Sequence, residues 1–155
     1  MLIRTANESD FKVVHELMYQ IFEKHLLGRP DIYKKGDPYK LEQFKAALNN
    51  ENNVLLLAQI EDNVVGVCHM IKKEMKNYNI VKDSCTAFIE DFCVDKHYQR
   101  KGIGKELYEA SIKKAKEWDA RRLELNVWEI NEEARKFYEA VGLRVQRTIM
   151  ETSIK

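Results

Sequence analysis

Two short apolar runs in the middle of the chain constrain the fold more than any other feature. One covers Val54–Ile60 and the other Val64–Ile71, and only the polar residues Glu61-Asp62-Asn63 separate them. Apolar runs of this length are typical of strands in a sheet that is covered on both faces, and the short polar break predicts a hairpin between them. Because such a sheet needs helices to cover it, the pattern favours an α/β domain.

Hydrophobic periodicity outside this hairpin predicts about four helices and about four more strands, in the order β-α-α-β-β-β-α-β-α-β. Asn7 and Asp10 resemble a cap for the first helix, Asn131 can cap the last one, and Gly142 can end it. The chain has 155 residues, so we expect one domain, 1–155, of the α/β (α+β) class around a mixed, mostly antiparallel sheet. The predicted helices cover Phe11–Phe22, Leu41–Leu48, Lys105–Trp118 and Asn131–Val141, and the further strands cover Leu2–Thr5, Thr86–Val94, Leu123–Val127 and Arg144–Met150.

The composition excludes several functional classes. The chain holds 26 Lys and Arg against 25 Asp and Glu, and a net charge of +1 gives no field that would draw it to nucleic acid or an anionic membrane. No apolar run approaches the roughly 18 residues of a membrane span, and charges interrupt the N-terminal segment, so we expect an unprocessed cytoplasmic protein. Cys68, Cys85 and Cys93 lack disulfide or zinc spacing, and the four histidines lack metal-ligand spacing, so we expect reduced thiols and no metal.

The segment Val94–Lys105 joins a predicted strand to a predicted helix and contains Gly102 and Gly104. A helix N-terminus exposes unpaired N–H groups that bind anions such as phosphate, and a glycine lets the phosphate approach them. Neither familiar phosphate-binding motif fits, because Glu106 stands where a P-loop needs Ser or Thr and Leu107 where a dinucleotide fingerprint needs Gly. The spacing alone leaves two interpretations open, a phosphate-binding turn or a tight strand-to-helix turn with solvated basic residues.

Two motifs in this part of the chain resemble those of the GNAT superfamily of N-acetyltransferases. Gln99-Arg100-Lys101-Gly102-Ile103-Gly104 matches its Gln/Arg-x-x-Gly-x-Gly/Ala signature, and Asn131-x-x-Ala134-x-x-Phe137-Tyr138-x-x-x-Gly142 is similar to its closing motif. Arg100 departs from the pattern where Gly is frequent, and Leu143 replaces a common Phe. The resemblance implies that acetyl-coenzyme A (acetyl-CoA) is the acyl donor, with its pyrophosphate on the amides of the turn. The donor-binding residues that it implies are Phe92, Cys93, Val94, Gln99, Arg100, Lys101, Gly102, Ile103, Gly104, Lys105, Asn131, Ala134 and Phe137.

Glu90 and Tyr138 are the predicted catalytic residues. Ile89-Glu90-Asp91-Phe92 is similar to the Leu-Glu-Asp-Phe segment of spermidine/spermine acetyltransferases, which implies that Glu90 is a general base. Alternation along a strand predicts that Glu90 faces away from Asp91. The match of Tyr138 to the closing motif implies an acid that protonates the leaving thiolate.

Each of these roles has an alternative interpretation. Glu90 and Asp91 can be ordinary strand carboxylates, and Tyr138 can be a core aromatic residue. Cys93 is a rival candidate as a nucleophile, although the sequence places no base beside it and a buried cysteine usually behaves as a small hydrophobe. A main-chain N–H near Cys93 or Val94 is the expected donor to the thioester oxygen.

The loop Gly28–Pro38, which holds both prolines and two of the six glycines, falls where this superfamily varies its acceptor specificity. Glu90, Asp91 and Glu129, with Trp128 beside the last, suggest a cationic amine on acidic and aromatic surface. We expect a small-molecule or protein amine as acceptor, bound by a monomer or homodimer, and a non-catalytic acyl-CoA-binding or sensing module is the alternative. The predicted acceptor residues are His25, Arg29, Asp31, Tyr33, Trp128 and Glu129, and replacing Arg29–Tyr33 should change the KM for the amine more than the KM for acetyl-CoA.

Overall fold

The computed structural model describes all residues, 1–155, and confirms a single mixed sheet flanked by four helices. The sheet has the order β1-β2-β3-β4-β5, antiparallel throughout except for the parallel pair β4 and β5. None of the helices combines the length and the apolar character needed to cross a membrane. The strands are β1 (Leu2–Thr5), β2 (Asn53–Ile60), β3 (Asn63–Met75), β4 (Ser84–Val94) and β5 (Arg122–Leu125), and the helices are α1 (Phe11–Gly28), α2 (Leu41–Leu48), α3 (Ile103–Glu117) and α4 (Glu132–Ala140).

Helices cover both faces of the sheet, as the uninterrupted apolar runs of β2 and β3 require. The predicted cap forms, since the Asn7 N–H donates to the Asp10 carboxylate at 2.8 Å in the 3-10 turn that leads into α1. One buried cluster packs α1 and α2 against the sheet through residues such as Leu17, Phe44 and Leu57, and a second packs α3 against the other face through residues such as Leu107.

A β-bulge interrupts β4 at Glu90. Met70 of β3 pairs with Ile89, whereas the preceding residue, His69, pairs with Asp91, so Glu90 has no partner in the ladder. The bulge shifts the alternation of side chains: Ile89 belongs to the buried cluster on the α3 side, and Cys93 belongs to the cluster on the α1 side. The regular alternation on which the expected opposite facing of Glu90 and Asp91 rested is therefore interrupted at this point.

Several predicted strands differ from the structure, and the predicted strand Leu123–Val127 is the shorter β5, Arg122–Leu125. The β3–β4 hairpin extends to Met75 and Ser84, through residues that we expected to be irregular, because backbone pairing continues where neither face is covered and the side chains can be polar. The predicted strand Arg144–Met150 does not form. Leu143 is the last residue that packs against the core, and apolar residues beyond it, such as Ile149, lie exposed with nothing to bury against.

Candidate active site

The central feature of the site is a gap where β4 and β5 part. The two strands pair only from Thr86 to Ile89 of β4, so the segment Glu90–Val94 runs on with no neighbour on that side. The Asp95 N–H donates to the Val65 carbonyl of β3 at 2.8 Å. Because bonds alternate along an antiparallel ladder, Phe92 and Val94 direct their N–H groups away from β3 and into the gap.

The turn before α3 presents further backbone donors. Gly102 is the N-cap, with φ at +81° and no side-chain cap, and the first helical bond runs from the Glu106 N–H to the Gly102 carbonyl. The N–H groups of the first three helical residues, Ile103–Lys105, therefore have no partner within the helix. With Lys101 exposed beside them, they form a helix end that favours an anion.

Gly104 serves the packing of the site rather than the approach of a phosphate. A Cβ at this position would lie 3.3 Å from the Phe137 ring and 3.7 Å from the Val94 side chain. The missing Cβ thus points at α4, so the expectation that it clears space for phosphate does not hold for this glycine. Phe137 in turn packs on Phe92 with the ring centres 5.6 Å apart. The turn, β4 and α4 therefore meet at Gly104.

Two of the predicted donor-binding side chains are used inside the protein. The Gln99 Nε2 donates to the Val94 carbonyl at 3.1 Å, and the Asn131 Oδ1 accepts from the Ala134 N–H at 3.2 Å. The Gln99 bond ties the turn to the last residue of β4, and the Asn131 bond caps the N-terminus of α4. The side chains of Gln99 and Asn131 thus shape the edges of the gap. The other predicted basic residues, Arg100 and Lys105, lie exposed around the turn.

Tyr138 lies at the inner end of the gap, with its ring 6.1 Å from the Phe92 ring. Burial raises the pKa of its phenol well above the ordinary value, and the nearby thiols of Cys68 and Cys93 raise it further. Burial likewise raises the pKa of Cys93 to about 12. The phenol therefore keeps its proton at neutral pH, and Cys93 remains a thiol rather than a nucleophilic thiolate.

The two strand carboxylates have different surroundings. Glu90 is exposed at the bulge and forms no hydrogen bond or ion pair. Asp91 lies 3.5 Å from the Nδ1 of buried His69, and its charge acts on His25 of α1. His69 was not among the residues predicted from the sequence to have a functional role. Its only signal was a lone polar side chain inside the apolar run Val64–Ile71.

Five of the six predicted acceptor residues come together in what we call the acceptor cluster. His25 stacks on Tyr33 with ring centres 5.2 Å apart, and the Trp128 Nε1 donates to the Tyr33 hydroxyl at 3.2 Å. The Arg29 guanidinium lies 4.9 Å from the centre of the Trp128 ring, held by both oxygens of Asp31 at 3.0 and 2.8 Å. The sixth, Glu129, is 88% exposed and pairs with Arg135 instead.

A cleft of about 370 Å³ lies between the end of α1 and the start of α4, with His25 in its wall. Burial lowers the pKa of His25, although the charge of Asp91 opposes this shift. His25 is therefore neutral at pH 7 and does not repel a cation. The residues that line the cleft are Lys24, His25, Leu27, Gly28, Ile130, Asn131 and Glu133.

Comparison with families and curated proteins points to one kind of domain. The model of the acetyltransferase (GNAT) family matches residues 16–143. A protein of Lactobacillus delbrueckii subsp. lactis, described as an uncharacterised N-acetyltransferase in the pepI 3' region, is 44% identical over 55 residues. That match covers 36% of this chain and 32% of the relative, so it spans about a third of the relative's length.

Solved structures extend the likeness to the whole chain. A mutant of the BH1408 protein of Bacillus halodurans is 29% identical, with a TM-score of 0.97 and full coverage of both chains. The aminoglycoside N-acetyltransferase AAC(6')-Iy, solved with the bisubstrate analogue CoA-S-monomethyl-acetylneamine, is 16% identical with a TM-score of 0.78. The alignment covers 99% of this chain and 97% of that one, and at this identity it shows a shared fold.

Proposed function

We propose that this chain, which belongs to the acetyltransferase (GNAT) family, transfers an acetyl group from acetyl-CoA to a primary amine. The amine attacks the thioester directly while both substrates are bound. The observation that carries the proposal is the gap between β4 and β5, which opens beside the uncapped N-terminus of α3. Backbone donors lie along the β4 edge of that gap and at the start of α3, as binding of a phosphorylated acyl donor requires.

The donor is bound mainly by backbone groups. The N–H groups of Ile103–Lys105 hold the pyrophosphate, and the cationic side chains of Arg100 and Lys101 add charge attraction. The N–H groups of Phe92 and Val94 face the thioester, where a fixed donor stabilises the negative charge that develops on oxygen. The Phe137 ring packs on Gly104 and Phe92 and keeps the turn, β4 and α4 in this arrangement.

Glu90 and Tyr138 handle the protons of the reaction. An alkylamine with an ordinary pKa near 10 is protonated at neutral pH and must lose a proton before it attacks. Glu90, exposed at the bulge beside the gap, serves as the general base, and Tyr138, a phenol that burial keeps protonated, donates to the leaving thiolate.

The acceptor is a small molecule that carries its primary amine as a cation. The acceptor cluster supports this proposal, because His25, Tyr33 and Trp128 give aromatic surface and the charge of the Asp91 carboxylate acts on His25. Aromatic faces and a nearby carboxylate together favour an ammonium group. The volume of the adjacent cleft, about 370 Å³, suits a compound of modest size.

The decisive experiment measures thiol release from acetyl-CoA with a panel of amines that includes a polyamine, an amino sugar and a peptide with a free N-terminus. We expect turnover with one of the small amines, and Glu90→Gln and Tyr138→Phe should each lower kcat by about 10²- to 10⁴-fold. The loss in Tyr138→Phe should be constant from pH 6 to 9, since the raised pKa of Tyr138 keeps the wild-type phenol protonated over that range.

Matched controls are Glu117→Gln and Tyr19→Phe, which replace exposed side chains far along α3 and on α1 and should keep wild-type kcat. An unchanged kcat in both Glu90→Gln and Tyr138→Phe would contradict the roles of Glu90 as general base and Tyr138 as general acid. Tight CoA binding without turnover of any amine would instead favour an acyl-CoA-sensing module.

A further inference from the structure

A buried histidine in the sheet, beside Asp91 of β4, has one ring nitrogen without a hydrogen-bond partner. His69 of β3 is 8% exposed, and its Nε2 lies 2.6 Å from the Oδ1 of Asn53 on β2. Its Nδ1 has no hydrogen-bond partner and lies 3.5 Å from the nearer Asp91 carboxylate oxygen. A buried polar atom without a partner is uncommon in folded proteins and calls for a physical reason.

The hydrogens of this pair can be counted. The Asn53 Oδ1 only accepts, so the ring hydrogen of a neutral His69 is on Nε2. The Nδ1 then presents a lone pair to the Asp91 carboxylate, and two acceptors face each other. One additional proton between Nδ1 and the carboxylate satisfies both groups. The pair of His69 and Asp91 is therefore a preformed acceptor for one proton.

Asp91 is the partly exposed member of the pair, with a side chain that is 28% exposed. Its charge favours a higher pKa for Tyr39 before α2 and for His25 of α1, whose ring lines the cleft, although burial lowers the pKa of His25 overall. The Tyr39 hydroxyl is also buried without a hydrogen-bond partner. Polar groups near the pair come from each element packed against it: Asn53 from β2, Cys68 from β3, Glu90 and Cys93 from β4, His25 from α1, Tyr39 before α2, and Tyr138 from α4.

Most of these neighbours do not exchange protons near neutral pH. Burial raises the pKa of Tyr39 to about 12 and that of Cys93 to about 12, and it raises the pKa values of Cys68 and Tyr138 beyond their ordinary range. Burial lowers the pKa of His25 and makes its imidazole a weaker base than that of an ordinary histidine. The carboxylate of Glu90 and the pair of His69 and Asp91 therefore remain to accept protons from a substrate.

We infer that Asp91 binds the ammonium group of the acceptor and that the pair of Asp91 and His69 takes up the second proton that acetylation removes from it. This inference rests on the proposed acetyl transfer. An ammonium nitrogen bears three hydrogens and an amide nitrogen bears one, so two N–H bonds break for each acetyl group that is transferred. Glu90 accepts one proton. The other passes to the Asp91 carboxylate and from there to the Nδ1 of His69, which becomes an imidazolium paired with the carboxylate.

The protons balance at the end of the cycle. Tyr138 gives its hydrogen to the CoA sulfur, one of the two nitrogen protons replaces it, and the other leaves through Asp91 to solvent. His69 acts on the substrate only through Asp91 and is a positioning residue. Asn53 fixes the hydrogen on Nε2 and so keeps Nδ1 open for the proton.

The pH dependence of kcat for the amine tests this inference. If two groups must be unprotonated, log kcat rises at low pH with a slope of about two, and loss of one group lowers that slope by about one. We expect this decrease in His69→Asn, whose amide can donate to Asp91 but cannot accept a proton, and in Asp91→Asn. His69→Gln is the second variant, because the Gln amide can still donate a hydrogen bond to the Asn53 Oδ1 but cannot accept the proton. Each should lower kcat by about 10²-fold at pH 7 and leave the KM for acetyl-CoA unchanged.

The control is His15→Asn, which removes a histidine on α1 that pairs with Asp37 and should keep the wild-type slope. Long-range ¹⁵N–¹H spectra of the wild-type protein give a readout that needs no turnover. We expect the neutral His69 ring to carry its hydrogen on Nε2 and to lose that preference in Asn53→Ala.

Three outcomes overturn parts of this scheme separately. Turnover with unchanged slopes in the His69 and Asp91 variants overturns the inference and leaves the proposed acetyl transfer intact. A neutral His69 that carries its hydrogen on Nδ1 also overturns the inference, because Nδ1 then has no lone pair with which to accept a proton. Absence of turnover with every amine overturns the proposed function and the inference with it.

Discussion

The proposed donor and acceptor sides of the site are built in different ways. The donor side consists mainly of backbone N–H groups at the start of α3 and along the free edge of β4. The acceptor side consists of side chains from α1, from the loop after it, and from the segment after β5, such as His25, Tyr33 and Trp128. One side is set by backbone conformation and the other by contacts among distant side chains.

This difference determines which substitutions each side tolerates. A backbone donor remains when its side chain is replaced, so the donor side is sensitive only where the backbone conformation itself depends on the residue. An aromatic cluster loses its surface when any one ring is removed. We therefore expect substitutions on the two sides to affect different kinetic constants.

The largest effect on the donor side should come from Gly102→Val. The φ of +81° at Gly102 is left-handed, and a β-branched residue there is strained by roughly 1–3 kcal/mol. The turn should relax by moving its N–H groups, and the Kd for CoA should rise by about 10- to 100-fold in titration calorimetry. Gly36→Val is the matched control, since a Cβ there also meets open space but the backbone is not left-handed. Unchanged CoA affinity in Gly102→Val would contradict a donor site based on backbone geometry.

A smaller effect, confined to the acceptor side, should follow Trp128→Ala. This change removes the ring beneath Arg29 and the hydrogen bond to the Tyr33 hydroxyl, so the cluster loses its shape. We expect the KM for the amine to rise about tenfold, equivalent to about 1.4 kcal/mol, while the KM for acetyl-CoA stays the same.

Trp128→Phe separates the two contributions, because it keeps an aromatic face for Arg29 and lacks the N–H that donates to Tyr33. A KM for the amine between those of the wild type and Trp128→Ala is the expected result. An equal rise in both KM values would show that Trp128 supports the whole site, and the contrast between the two sides would fail.

The same contrast explains what the sequence could predict. The turn Gln99–Gly104 is contiguous, and its proposed function depends on local backbone geometry, so a short motif is enough to predict it. The acceptor cluster was foreseen only in part. Glu129 was expected in it because it follows Trp128, but Arg135 of α4 pairs with it at the surface.

Features that depend on strand register were not visible in the sequence. His69 and Asp91 belong to different strands, and they become partners because the bulge at Glu90 shifts the register of β4 by one residue. A one-residue shift changes which side chains share a face, and no sequence pattern marks it. The expected strand Arg144–Met150 does not form, and its apolar residues, such as Ile149, lie exposed, so an extended apolar pattern was not sufficient to predict a strand.

The smallest predicted effect concerns Arg100, where backbone and side chain make opposing contributions on the donor side. Its φ of +64° is left-handed, so Arg100→Gly should relieve strain and raise the free energy of unfolding by up to about 1 kcal/mol in urea denaturation. The same change removes a cation beside the phosphate-binding turn, so the Kd for CoA should rise about two- to fivefold at low salt and less at high salt. Asp119→Gly is the matched control, because Asp119 has a φ of +55° just beyond α3 and should show the stabilisation without the change in CoA affinity. If Arg100→Gly and Asp119→Gly behave alike in both measurements, the guanidinium contributes nothing to donor binding, and the donor side consists of backbone groups alone at this position.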